Sequence, residues 1–324
     1  MALLVAGADL MKTEGLILKC LGGLYTVLAD DKAAIPEGIL LSDGGILCRA
    51  RGVLRHEGVT PLIGDRVVLD IDVDIAIDSV LPRKNSLIRP PLANIDFLFI
   101  VFSPSDPAPD LCYIDKLTCI CEHSGIEPVI VISKSNTEPQ AAQSLCDIYK
   151  KCGFFAFCED KDSKESIDAI KAFIAKECKG KICAFAGVSG VGKSTLLNSL
   201  FGTLYAETGE ISKKIGRGKH TTRHVELYPV SVFENEDDFC FFADTPGFSM
   251  LDFTRFDFLS KEELPRAFRE FAPRLFECRY TDCTHTKETE CGITAGVRNG
   301  EIPKSRHESF IKIREELKQK KLYK

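Results

Sequence analysis

The chain has 324 residues, enough for two or three domains with separate cores. Its 44% hydrophobic and 27% charged residues are ordinary for a globular protein, and a net charge of −5 excludes a global basic field, so any RNA contact must be local. No run of about 18 apolar residues can span a membrane, and no basic segment precedes the short apolar stretch Ala2–Ala8. The 14 cysteines of a chain this long therefore fit a reducing cytoplasm better than a disulfide scaffold.

Residues 1–11 match no element and are expected to be a flexible extension. Residues 12–82 read as short strands at Gly15–Lys19, Leu24–Ala29, Ile46–Val53, Arg66–Asp72 and Ile75–Leu81, broken by glycine-rich turns. Five strands in this length predict a small β-barrel of OB-fold type, which either binds RNA or is purely structural. The segment 83–91, with Pro82 and Pro91 at its edges, is expected to be a linker. Its Arg83, Lys84 and Arg89 are expected to be exposed, either solvated or against RNA phosphates.

From residue 92 to 252 apolar and helical patterns alternate. Strands are expected at Phe97–Phe102, Val129–Ile132, Phe154–Cys158 and Ile182–Ala186, with helices at Leu111–Glu122, Gln140–Lys151 and Ser166–Glu177 between them. Such alternation predicts a mostly parallel sheet covered by helices. The fourth strand runs into Gly187-Val188-Ser189-Gly190-Val191-Gly192-Lys193-Ser194, and a helical run begins at Thr195. Strand, glycine-rich loop and helix in this order form a phosphate-binding loop. Its backbone N–H groups and the helix dipole hold the phosphates, Lys193 reaches the β- and γ-phosphates, and Ser194 ligates Mg2+. Ile211–Val225 holds five Lys/Arg and two His with no acidic residue, the pattern of a mobile basic loop. Strands follow at Val225–Val232 and Phe239–Ala243, the second ending in Asp244-Thr-Pro-Gly247.

Residues 253–324 are expected to form a separate helical module. Ser260-Lys-Glu-Glu263 is a capping box that starts a helix. A closing helix from about Ser305 to Lys321 aligns Phe310, Ile313 and Leu317 as an apolar stripe. Eight Lys/Arg against three Glu from Ile302 onward make this tail a basic patch. Between them Cys278-x4-Cys283-x-His285-x5-Cys291 offers three thiolates and one imidazole, the donor set of a closed structural Zn2+ site. The other eleven cysteines read as buried thiols.

A phosphate loop alone does not name the nucleotide. Asp244 can hold Mg2+ through water, and the Gly247 N–H can meet the γ-phosphate. Between the two motifs lies Gly218-Lys-His-Thr221-Thr222-Arg223, where Thr221 or Thr222 can ligate Mg2+ as a nucleotide-dependent switch. The base-reading loop is expected upstream, at Ser133-Lys134-Ser135-Asn136 after the second strand. The motif order is then rotated, and the sheet is circularly permuted.

Rotated order, a barrel in front, Gly-Lys-His-Thr-Thr in the switch and a Cys/His cluster behind resemble the ribosome small-subunit-dependent GTPase A family (RsgA) over residues 12 to 320. The resemblance implies a monomeric GTPase that binds the small ribosomal subunit and its rRNA late in assembly and hydrolyses GTP faster on it. It also implies Mg2+ with GTP, and one structural Zn2+ on Cys278, Cys283, His285 and Cys291. The alternatives are an RNA-binding assembly factor independent of turnover, and a general P-loop ATPase.

Two departures from the family pattern bear on the base. Where the family has Asn-Lys-x-Asp this chain has Ser133-Lys134-Ser135-Asn136. A terminal carboxylate accepts from both N1–H and the 2-amino group of guanine. Asn136 accepts only once, a loss of about 1–3 kcal/mol, and its NH2 suits the O2 of xanthine. Ser133 is expected to give up the amide that braces the phosphate loop, while Lys134 still covers the base. The second departure is Phe157-Cys158-Glu159-Asp160 in place of a Ser-Ala motif, whose backbone N–H groups can still meet guanine O6. For hydrolysis, Phe248 follows Gly247 and cannot orient water, so the assignment falls on His220, with His224 as the other histidine of the loop. Lys193 and Thr222 complete the expected catalytic set.

Overall fold

The computed structural model describes residues 12–31, 35, 39, 44–71, 75–88, 91–202, 225–233, 235, 238–244 and 259–319. They divide into two compact units, one centred on the residues before Asp96 and one on those from Asp96 onward.

The first unit is a closed five-stranded barrel. Strands β1 (Lys12–Leu21), β2 (Leu24–Ala29), β3 (Gly45–Ala50), β4 (Arg66–Asp70) and β5 (Ala76–Val80) pair in the order β1-β2-β3-β5-β4 and back to β1. Closure leaves no free sheet edge. Ile17, Val27, Ile46, Val67, Leu69 and Ile77 fill the interior. A short helix α1 (Gly52–His56) takes up residues that the apolar pattern assigned to the third strand.

The stretch expected as an open linker is folded. Strands β6 (Ser86–Ile88) and β7 (Pro91–Ala93) pair antiparallel and bury Leu87 and Leu92. Asn85 and Ile95 exchange hydrogen bonds of 2.8 and 2.9 Å, and Asn94 Nδ2 donates to Gly64 O at 2.9 Å. Arg83 is exposed as expected, but its guanidinium is also committed to an ion pair. Its guanidinium grips the fully buried Asp65 with two 2.7 Å bonds, because a buried carboxylate must be paired.

The second unit is built on a mainly parallel sheet. The sheet's strands are β8 (Phe97–Phe102), β9 (Glu127–Ile132), β10 (Phe155–Cys158), β11 (Ile182–Ala186), β12 (Glu226–Val230) and β13 (Cys240–Asp244), in the order β10-β9-β8-β11-β13-β12, with Glu226–Tyr228 and Ala243–Asp244 grouping with the first unit. β11 runs parallel to β8, β8 to β9 and β9 to β10. The uninterrupted apolar runs of β8 and β11 follow from burial on both faces. Helices α2 (Leu111–Ser124), α3 (Pro139–Lys151), α4 (Lys164–Glu177) and α5 (Lys193–Phe201) complete the crossovers. Local chemistry sets their ends. Asp110 and Ser163 cap the first turns of α2 and α4, Pro139 opens α3, and left-handed Gly125 stops α2. Phe99, Phe185 and Phe242 pack together beneath the sheet's helices, with ring centroids 5.1–5.5 Å apart.

In the C-terminal part of this unit the capping box forms. Ser260 N donates to Glu263 Oε2 at 2.9 Å, and Glu263 N donates to Ser260 Oγ at 3.2 Å. The chain beyond the box winds not into an α-helix but into two 3-10 segments, Leu264–Ala267 and Arg269–Glu277. Pro265 and Pro273 each lack the N–H that an α-helical ladder needs. Two α-helices close the module, α6 (Gly292–Arg298) and α7 (Lys304–Lys318). Phe310, Ile313 and Leu317 are buried on α7 as the stripe predicts, but Arg306 of the expected basic patch is also buried.

Candidate functional site

β11 delivers the chain into Gly187–Ser194 with Gly187 at φ 146°, a conformation that favours glycine. A Cβ there would lie 2.1 Å from Val101 O on the neighbouring β8, so the loop turns away against its neighbour's backbone. Val191 is buried, whereas Ser189, Gly190, Ser194 and Thr195 are exposed on the rim. Lys193 Nζ bridges the loop by donating to Gly187 O at 2.7 Å and Val188 O at 2.8 Å. Burial pulls this amine below its ordinary value.

The expected base loop is joined directly to the phosphate loop. Ser133, fully buried at the end of β9, has its hydroxyl 2.6 Å from Val191 O and 3.2 Å from Phe102 O. The expectation that Ser133 forfeits the brace is therefore overturned, since a hydroxyl on the shorter side chain still reaches the loop carbonyl. Lys134 takes a left-handed φ of 53°, and its Nζ donates to Asp106 O at 2.8 Å. Asn136 is exposed.

Glu159, just past β10, organises the turn. Its own N–H donates to Ile132 O at 2.7 Å, and its carbonyl accepts from Ser135 N at 2.9 Å. Its Oε2 accepts from Lys134 N at 3.3 Å. Asp160 N donates to Ser166 Oγ at 3.1 Å. Of the segment Phe157–Asp160, whose backbone N–H groups are expected to be able to meet guanine O6, the N–H groups of Glu159 and Asp160 are engaged inside the protein. Sequence reasoning treated Glu159 only as part of a missing motif. The available signal was a carboxylate at the end of an otherwise apolar strand.

Asp244 is the last residue of β13. His220, Thr221, Thr222 and Gly247 lie outside the described residues.

The cysteine cluster gathers as its spacing predicts. The donor atoms of Cys278, Cys283, His285 and Cys291 lie within 4.8 Å of one another. Cys278 Sγ is 3.8 Å from Cys291 Sγ, and His285 Nδ1 is 3.5 Å from both sulfurs. A tetrahedral ion with Zn–S of about 2.3 Å and Zn–N of about 2.0 Å requires S···S near ~3.8 Å and S···N near ~3.5 Å, so the set fits Zn2+. Burial pushes the Cys283 thiol up to about 12, so a thiolate there needs a cation's charge. His307 Nε2 donates to His285 O at 2.7 Å and holds the left-handed turn that presents the imidazole.

A phosphate loop on a parallel sheet, braced by a base-side loop that comes earlier in the chain, defines a circularly permuted P-loop GTPase. Models of the RsgA GTPase domain and the RsgA N-terminal domain match residues 80–254 and 39–75. The chain is 40% identical to small ribosomal subunit biogenesis GTPase RsgA 2 of Listeria monocytogenes serovar 1/2a, covering 95% of this chain and 98% of the relative. It is 37% identical to small ribosomal subunit biogenesis GTPase RsgA of Caldanaerobacter subterraneus, over 95% and 97%. The crystal structure of YjeQ from Thermotoga maritima superposes with a TM-score of 0.74 at 29% identity, over 95% and 99% of the two chains. That of YloQ, a circularly permuted GTPase, gives 0.72 at 30% identity, over 95% of each. The chain belongs to the RsgA GTPase family, whose members hydrolyse GTP. GTPases of this kind take Mg2+ with the nucleotide. Among the described residues no helix is long and apolar enough to cross a membrane.

Proposed function

We propose that this protein is a nucleotide-switched assembly factor that binds the maturing small ribosomal subunit in the cytoplasm and hydrolyses GTP faster there. The Ser133–Val191 bond carries the reading, because it couples the base loop to the phosphate loop in a chain whose relatives bear that name. Gly187–Thr195 hold the phosphates, Ser133–Asn136 the base, and Ser194, Asp244 and Thr221 or Thr222 the Mg2+. Lys193 neutralises charge, and His220 with Thr222 acts at the attacking water. The barrel and the C-terminal module contact rRNA, and the chain acts as a monomer. The deciding experiment is GTP turnover with and without purified small subunits. Several-fold stimulation is expected, and a rate indifferent to the subunit would remove the reading.

Asn136 favours a second reading in part, an RNA-binding factor with relaxed base selectivity. The exposed amide cannot accept both donors of guanine.

We propose further that Cys278, Cys283, His285 and Cys291 hold one structural Zn2+. A structural Zn2+ contributes on the order of 10 kcal/mol to folding of its module at pH 7. Chelation is therefore expected to release one zinc per chain by elemental analysis and to strip amide-exchange protection from 278–291. Protection unchanged after metal loss would contradict this.

A further inference from the structure

The cysteine and histidine loop carries one half-buried acid that is not part of its donor set. Glu288 lies between Cys283 and Cys291, yet only Cys278, Cys283, His285 and Cys291 bring their donor atoms together. Three thiolates around a divalent ion already leave a net negative charge, so a further acid beside them is electrostatically unfavourable. What Glu288 accepts explains its position. Oε1 takes the Thr284 N–H at 2.9 Å and the Thr284 hydroxyl at 2.5 Å. Oε2 takes the N–H groups of Thr286 at 2.9 Å and Lys287 at 3.0 Å. The two oxygens thus hold residues on both sides of His285. His285 itself has φ 59°, a left-handed conformation that is unfavourable for a residue with a side chain, so the turn needs restraint. His307 restrains it at the His285 carbonyl, and Thr294 Oγ1 of α6 donates to Glu288 O at 2.9 Å, fixing the backbone of the acid as well. With both oxygens spent on the loop, the carboxylate is a clamp and not a fifth ligand.

We propose that Glu288 is the positioning residue of the metal site, clamping the left-handed turn that brings His285 Nδ1 against the cysteine sulfurs. The proposal rests on the reading of Cys278, Cys283, His285 and Cys291 as a Zn2+ site, and it assigns the residue that makes the imidazole a ligand. Nδ1 lies 3.5 Å from the sulfurs of Cys278 and Cys291 only while the turn keeps its left-handed form. Without the clamp the backbone of His285 relaxes, the imidazole leaves, and the three thiolates remain. Loss of Glu288 then weakens metal binding through His285.

The test is a double-mutant cycle in metal affinity on the full chain, read by Co2+ titration and by Zn2+ competition against a chelator. Glu288→Ala is expected to weaken Zn2+ binding by about 10–100-fold, the usual cost of losing an outer-shell partner. In the His285→Ala background the same change is expected to cost less than about twofold, because the residue it acts through is gone. The visible Co2+ spectrum of Glu288→Ala is expected to move to that of His285→Ala, which reports loss of the imidazole. Glu288→Gln, whose amide NH2 cannot accept, is a milder variant expected to fall between wild type and Glu288→Ala. An equal loss in both backgrounds with the Co2+ spectrum unchanged would make Glu288 a general stabiliser of the loop and overturn the proposal. Wild-type affinity in Glu288→Ala would overturn it too. A wild-type chain that takes up neither Zn2+ nor Co2+ overturns the metal-site reading itself, and the proposal with it. Near-ultraviolet circular dichroism of each variant confirms that the affinities come from folded protein.

Discussion

Replacing Gly187 with alanine is expected to abolish nucleotide binding by calorimetry and to cost ~3 kcal/mol or more in urea unfolding. Two independent penalties meet at this residue. Its φ of 146° lies where side chains are rarely tolerated, and the added Cβ would come within 2.1 Å of Val101 O and 3.2 Å of Val101 C. The obstacle is backbone, so no rotamer change relieves it. Val101 cannot retreat, because β8 is paired in register on both sides, Ala186 against Ile100 and Val101 against Val131. The loop must move instead, taking with it the carbonyl of Gly187 that receives Lys193 Nζ. Gly190 is the internal control. It too has a positive φ, 85°, but no atom lies within 4 Å of a Cβ built there. Gly190→Ala should therefore cost only dihedral strain, about 1 kcal/mol. Equal losses for the two variants would mean that strain alone, and not the contact with β8, governs the loop.

The contrast also shows what the sequence makes legible. Phe97–Phe102 reads as a doubly buried parallel strand because every residue is apolar, and Gly187–Ser194 reads as a phosphate loop because the glycine spacing has few other uses. The Cys278–Cys291 cluster is legible for the same reason, since its chemistry is carried by residue type at short range. The Ser260–Glu263 capping box was visible too, but the helix type beyond it was decided by Pro265 and Pro273. Pairings across long sequence separations left no local mark. Nothing near Arg83 announces that it will be used by Asp65, and nothing near Ser133 shows that its hydroxyl reaches Val191, 58 residues away. Family comparison even pointed the wrong way at Ser133, because a lost amide suggests a lost contact until the backbone geometry is known. One arginine counted into the basic patch of the tail is buried, and a buried arginine and an exposed one look alike in a charge count.

Arg306 is that arginine, and Arg306→Ala is expected to destabilise the second unit by about 3–5 kcal/mol. The guanidinium on α7 is 1% exposed and meets carboxylates from two other elements. Nη1 donates to Asp115 Oδ1 of α2 at 2.6 Å and to Thr118 Oγ1 at 3.0 Å. Nε and Nη2 form a fork on Glu270 at 2.7 and 3.2 Å, and the cation sits 4.6 Å above the Phe268 ring. Removing the cation leaves two buried carboxylates facing each other's field without compensation, which is what makes breaking such a pair costly. Arg306→Lys should recover little, because one ammonium cannot reproduce a fork to Glu270 together with two bonds to α2. The loss should also depend on pH in a definite direction. Desolvation already holds the Asp115 carboxyl above its ordinary value, and deleting Arg306, which lowers it, raises it further. A raised folded-state value means that the folded variant binds more protons than the unfolded chain in the window between the two values. Relative to wild type, whose folded-state value is lower, the variant therefore loses stability as pH rises through the window between the two folded-state values of Asp115, regains it as pH falls through that window, and keeps a constant deficit above it. Urea midpoints across the acid range measure this. A deficit of Arg306→Ala that stays constant with pH, or stays under about 1 kcal/mol as for an exposed pair, would show that α7 is held to α2 by the Phe310–Ile313–Leu317 face alone. The expected result makes the ionic triad the fastening between α7 of the C-terminal module and α2. A helix read from sequence as an apolar stripe in a basic patch then also serves, through one buried residue, as the anchor of its own module.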